Sequence, residues 1–127
     1  MGAGAVSGLT ILVVDDHAGF RATARRLLER DGWTVVGEAE DGLSALRAAS
    51  SLRPDVVLLD IGLPGPDGFW VADHLSLDAR GPVIVLVSSR EADAYGDRIA
   101  MSPALGFLAK SDLDSARLRA MVAAGDA

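Results

Sequence analysis

The sequence predicts an α/β fold of the doubly wound (βα)5 type, and two observations predict it. Five short aliphatic runs, "LTILVV", "WTVVGEA", "DVVLLD", "PVIVLVSS" and "LGFLAK", read as strands buried on both faces. Between them lie segments of helical periodicity, the crossover connections that parallel strands require. With 127 residues, 50% of them hydrophobic and 24% charged, the chain is one globular domain with a sizeable core.

The first strand covers 9–14. The next helix sets Phe20, Ala24, Leu27 and Leu28 on one face and Arg21, Arg25, Arg26 and Arg30 on the other, and Gly32 ends it. The second strand covers 33–39, and a helix over 41–52 turns Leu43, Leu46, Ala49 and Leu52 inward. Pro54 introduces the third strand, 55–60, and the loop "IGLPGPDG" leads to a helix over 68–79. The fourth strand covers 82–89, a weakly amphipathic helix lies within 91–102, the fifth strand covers 105–110, and the last helix about 113–124. The domain is therefore expected over 9–124, with 1–8 as a flexible leader and 125–127 as a tail.

Composition narrows the function. A formal net charge of −6 disfavours direct nucleic-acid binding. The absence of cysteine excludes disulfides and thiolate metal sites. No apolar run approaches the roughly 18 residues of a membrane span. The start "MGAGAVSG" lacks the charged and apolar regions of a secretory signal, so a cytoplasmic location is expected.

In open α/β sheets, ligands bind at the carboxyl ends of the strands. Here strand one ends in Asp15–Asp16, strand three in Asp60, strand four in Ser88–Ser89 and strand five in Lys110. Like charges about 4 Å apart repel by about 4 kcal/mol at an effective dielectric near ~20, so three gathered carboxylates call for a proton or a cation. All-oxygen donors suit Mg²⁺, with Mn²⁺ as an alternative, and such an ion keeps positions open for phosphate oxygens. Lys110 is the only lysine among twelve basic residues. With Ser88 it would contact a phosphoryl group, and a carboxylate would accept that group.

Taken together, "VVDDH", "DVVLLDIGLPGPDG", "VLVSS" and "GFLAK" resemble the response-regulator receiver domain of bacterial two-component signalling over about residues 9 to 124. The resemblance implies a strand order of 2-1-3-4-5. It implies that Asp60 accepts a phosphoryl group from a sensor histidine kinase. Asp16, Asp60 and the Gly62 carbonyl would bind Mg²⁺ directly, with Asp15 acting through water. Lys110 would pair with Asp60 beforehand, and Ser88 would draw towards the phosphoryl oxygen. Phe107 matches the aromatic switch position. The "KSDL" ending is similar to receivers attached to helix-turn-helix DNA-binding domains, so an output domain outside this sequence, and a homodimer, are the further partners implied.

Each residue also has a plainer reading. An adjacent Asp pair is ordinarily a helix cap with a first-turn acid, and Asp16 is placed to cap the first helix. Ser88 could open a loop, Phe107 could be core, and Trp70 could be an exposed contact or cover its helix's flank. His17 and His74 read as solvated. Three other functions compete: a phosphorylation-independent interaction module on the same fold, a small Mg²⁺-dependent phosphohydrolase, and a flavin-binding domain. Departures from the family pattern are Ser111 where proline commonly follows the lysine, which predicts a trans bond, and Gly62 and Arg90 at positions that tune loss of the phosphoryl group.

Overall fold

The computed structural model describes residues 8–126, so of the predicted leader only Gly8 falls among them. The elements are β1 (Thr10–Val14), α1 (Ala18–Arg30), β2 (Thr34–Ala39), α2 (Gly42–Leu52), β3 (Val56–Asp60), α3 (Gly68–Leu75), β4 (Val83–Ser88), a 3₁₀ turn (Ala92–Tyr95), α4 (Arg98–Met101), β5 (Gly106–Ala109), a second 3₁₀ turn (Lys110–Asp112) and α5 (Ser115–Asp126). The strands form one parallel sheet of order β2-β1-β3-β4-β5, as predicted.

Alternation along the strands builds two cores, one on each face. Leu12, Val14, Val57, Leu59, Ile84 and Leu86 point to the face covered by α2 and α3. Ile11, Val13, Val56, Leu58, Val85 and Val87 point to the opposite face, where Ala24 and Leu28 of α1 and Leu118 and Val122 of α5 meet them. The aliphatic runs are continuous because both faces are dry. The same alternation fixes where the strand-end side chains go: Asp60 continues the α1 side, and Ser88 continues the α3 side.

Several elements differ from the sequence reading. α2 keeps the predicted Ala49 in the core with Leu46 packed against it, but Gly42 and Ala45 join them there while the predicted Leu43 and Leu52 are exposed. Small residues let this helix lie close to the sheet. The helix predicted over 68–79 stops at Leu75, because Ser76 bonds back to the Asp73 carbonyl and Asp78 organises a separate turn through the Arg80 and Gly81 N–H groups. The region 91–102 is two short turns rather than one helix, divided at Gly96, which adopts a φ of 58°. The last helix begins at Ser115 with Asp114 as its cap, its Oδ1 accepting the Ala116 and Arg117 N–H groups. The Lys110–Ser111 bond is trans.

Arg21 and Arg25, placed by periodicity on the outer face of α1, both reach Glu38 of β2, at 3.0 and 2.9 Å. They strap the helix to the edge strand. No helix among the described residues is long and apolar enough to cross a membrane.

Candidate functional site

The carboxyl ends of β1, β3 and β5 bring Asp15, Asp60 and Lys110 together, as the sequence predicts. Asp15 is fully buried, Asp60 nearly so, and Asp16 is exposed. Each of Asp15, Asp16, His17 and Asp60 offers a ligand atom within 4.8 Å of the others. Burial of Asp60, reinforced by the charge of Asp15, pushes its carboxyl above the ordinary carboxylate range; Lys110 and the Gly62 N–H pull the other way.

The pairing of Lys110 differs from expectation. Its Nζ lies 2.6 Å from Asp15 Oδ2 but 3.8 Å from Asp60 Oδ2. Asp15 is the deeper carboxylate and has the greater need of a counter-charge. The Phe20 ring of α1, 4.6 Å from the ammonium, holds it on that side. Asp15 Oδ1 meanwhile accepts the His17 N–H at 2.8 Å. Asp15 is therefore committed on both oxygens, and Asp16 is left freer.

His17 is less detached than the sequence suggests. Its Nδ1 lies 3.2 Å from both Asp15 Oδ1 and Asp16 Oδ1. It is also the N-cap residue of α1, with no side-chain cap bond, so Asp16 does not cap that helix. Asp67 caps α3 instead, its Oδ1 accepting the Trp70 N–H at 3.0 Å. Gly62 lies in the turn after β3, and its N–H donates to Asp60 Oδ1 at 3.3 Å.

Ser88 ends β4 almost fully buried, on the α3 side of the sheet. Its Oγ accepts the Arg90 N–H at 3.0 Å and lies 2.5 Å from the Tyr95 hydroxyl. Phe107 is half-buried, its ring 6.3 Å from that of Tyr95. Tyr95 is the residue that sequence reasoning passed over: it lies in a segment without clear periodicity. Trp70 is half-buried and stacks on His74, with ring centroids 3.8 Å apart.

A gathering of three carboxylates against one ammonium, all oxygen donors apart from the His17 imidazole, fits a hard divalent cation. A cleft of about 430 Å³ opens at the other end of the sheet, beside Arg53, Asp55 and His74, and none of the strand-end residues lines it.

An α/β sheet of this order, with acidic residues at the ends of β1 and β3 and a lysine after β5, is the architecture of a signalling switch rather than of a classical enzyme. The response regulator receiver domain profile matches residues 11–123, and the chain belongs to that family. It is 42% identical over 103 residues to a Pseudomonas aeruginosa protein assigned as a transcriptional regulator, covering 80% of this chain and 49% of that protein. It is 30% identical over 104 residues to the DNA-binding transcriptional activator EvgA of Escherichia coli, covering 82% of this chain and 51% of that protein. The chain thus spans about half the length of these relatives. A LuxR-family two-component response regulator from Aurantimonas sp. SI85-9A1 superposes with a TM-score of 0.81 at 32% identity, covering 92% of this chain and 86% of the other.

Proposed function

We propose that this domain is a phosphorylation-controlled switch that accepts a phosphoryl group on Asp60. The observation that carries the reading is the convergence of Asp15, Asp16 and Asp60 with Lys110 at one edge of the sheet. An Asp60 carboxylate oxygen forms the new bond to phosphorus as the bond to a sensor kinase's histidine nitrogen breaks. The histidine leaves with the bonding pair. Asp16, Asp60 and the Gly62 carbonyl would hold Mg²⁺, or Mn²⁺, directly, and Asp15 would act from the outer position. When bound, the ion offsets the charge of the phosphoryl oxygens. Lys110 would swing from Asp15 towards the transferred group, and Ser88 would hydrogen-bond it.

The switch would control an output carried outside residues 9–124, here transcription through a DNA-binding domain, either within one chain or through a homodimer. Gly62 places no side chain over the acyl phosphate. Water therefore has access, and slow self-dephosphorylation follows, alongside slow self-phosphorylation from small donors. A cytoplasmic location suits a kinase partner and an output of this kind.

Two measurements test this. With Mg²⁺ and acetyl phosphate, the intact protein is expected to gain one phosphoryl group by mass spectrometry, mapping to the peptide that contains Asp60. No adduct under any metal would leave the alternative, an interaction module that works without phosphorylation. Asp16→Asn is also expected to weaken Mg²⁺ binding, followed by tryptophan fluorescence, about tenfold or more, and Asp15→Asn less. The difference arises because Asp15 is already engaged by Lys110 and the His17 N–H, whereas the pairing contact of Asp16 among the described residues is with the His17 ring alone. The reverse ranking would exchange their roles.

A further inference from the structure

Tyr95 is the single tyrosine of the chain, and the site read from the sequence has no use for it. It ends the 3₁₀ turn Ala92–Tyr95, half-buried. Its hydroxyl lies 2.5 Å from Ser88 Oγ. Its ring meets Phe69 of α3 edge-on at 5.8 Å and tilts against Phe107 of β5 at 6.3 Å. The far face of the same cluster is covered by Arg98 of α4, whose guanidinium stands 4.3 Å from the Phe69 centroid and bonds Asp67 at 3.5 Å. One phenol therefore touches the end of β4, the start of α3 and β5.

Ser88 is 3% exposed, so its hydroxyl must find partners inside the protein. A serine hydroxyl has one proton and two lone pairs, and Arg90 N–H and Tyr95 OH are the partners it has. Strand alternation directs Ser88 to the α3 side and Asp60 to the α1 side. A contact with the phenol and a contact with a group carried on Asp60 thus ask for different positions of the same Oγ. Phe107 has no hydroxyl to offer, and in this chain the turn before α4 supplies one.

We infer that Tyr95 is a positioning residue that parks the Ser88 hydroxyl away from Asp60, and that a phosphoryl group on Asp60 competes with the phenol for it. This rests on the phosphoacceptor reading above and adds the element that responds. When Ser88 leaves, Tyr95 loses the hydrogen bond that fixes its turn, and the segment 92–101 is free to repack against Phe69 and Phe107. The state of the site is passed on through a hydroxyl exchange, with Phe107 following by packing.

Because the chain has one tyrosine, protein labelled with ¹³C at the tyrosine Cζ gives one phenol resonance. In the unphosphorylated protein, Ser88→Ala is expected to move that resonance. Mg²⁺ with acetyl phosphate is expected to move it in the same direction in the wild type, and to leave it in place in Asp60→Asn. Tyr95→Phe keeps the ring contacts while releasing Ser88, and should raise the initial rate of adduct formation about fivefold, the scale of one hydrogen bond. A wild-type adduct seen by mass with a stationary resonance, or an unchanged rate in Tyr95→Phe, overturns the exchange. A resonance unmoved by Ser88→Ala overturns the parking contact itself. Absence of any wild-type adduct instead removes the phosphoacceptor reading, and the exchange falls with it.

Discussion

Asp60→Asn is expected to abolish the phosphoryl adduct and, at the same time, to make the metal-free domain more stable. The loss follows from removing the nucleophilic carboxylate, for which an amide is no substitute. The gain follows from the environment of Asp60: burial first, and then the charge of Asp15, hold its carboxyl above the ordinary range. A carboxyl whose folded pKa is raised favours the folded state only while protonated. Its stabilising contribution is complete below the unfolded value of about 3.9. That contribution is lost as pH rises through the higher folded value. At neutral pH the ionised Asp60 therefore costs stability, partly offset by Lys110 and the Gly62 N–H.

Replacing it by asparagine removes that cost. A gain on the scale of an ordinary single substitution, about 1 kcal/mol, would appear as roughly 4 °C in Tm for a domain of this size. Two features identify the cause in thermal denaturation. The gap between variant and wild type should narrow as pH falls towards the acid range. Millimolar Mg²⁺ should raise the Tm of the wild type more than that of the variant, because the ion answers the same charge excess. A metal-free variant that melts below the wild type would mean that Lys110 already overcompensates the cluster.

The strand-end residues were legible because each terminates an aliphatic run, and a parallel sheet brings such ends to one edge. Asp15, Asp60 and Lys110 required only the order of strands and their period of two. What the chain did not disclose has a common cause: it depends on which of several neighbours a side chain prefers. Lys110 sits closer to Asp15 than to Asp60 because of Phe20 and relative depth, neither of which is a property of spacing. Tyr95 lies seven residues beyond Ser88, in a stretch broken by Gly96, and its contact is made by the turn. In α2, counting leucines pointed to Leu43 and Leu52, whereas the sheet takes Gly42 and Ala45 beside the predicted Ala49. Close approach selects the small face, and hydrophobicity alone is blind to that. The family profile and the fold agree with the parts that periodicity could reach.

Gly68→Ala is expected to be the most damaging single substitution in the loop that leads from Asp60 into α3. Gly68 is the first residue of that helix, and its N–H donates to the Ile61 carbonyl at 2.9 Å. A Cβ at this position would stand 2.7 Å from the Ile61 Cα and 3.0 Å from the Asp60 carbonyl carbon. It would press hardest on the Asp60 carbonyl oxygen itself. All of these are backbone atoms, so no flexible side chain can move aside. Either α3 lifts from the end of β3, opening the packing of Phe69 and Val71, or the backbone at Asp60 and Ile61 gives way. Overpacking of this kind costs about 1–3 kcal/mol, or roughly 4–12 °C in Tm. Because the strain falls on the residue that carries the carboxylate, phosphorylation should slow as well. Gly19→Ala provides the contrast. A Cβ there meets nothing within 4 Å, and the position lies in α1. Helix propensity should then leave stability unchanged or raise it by up to ~1 kcal/mol. Equal melting temperatures for Gly68→Ala and wild type would show that α3 can shift without cost, and that the tight seat beneath it does not aim Asp60.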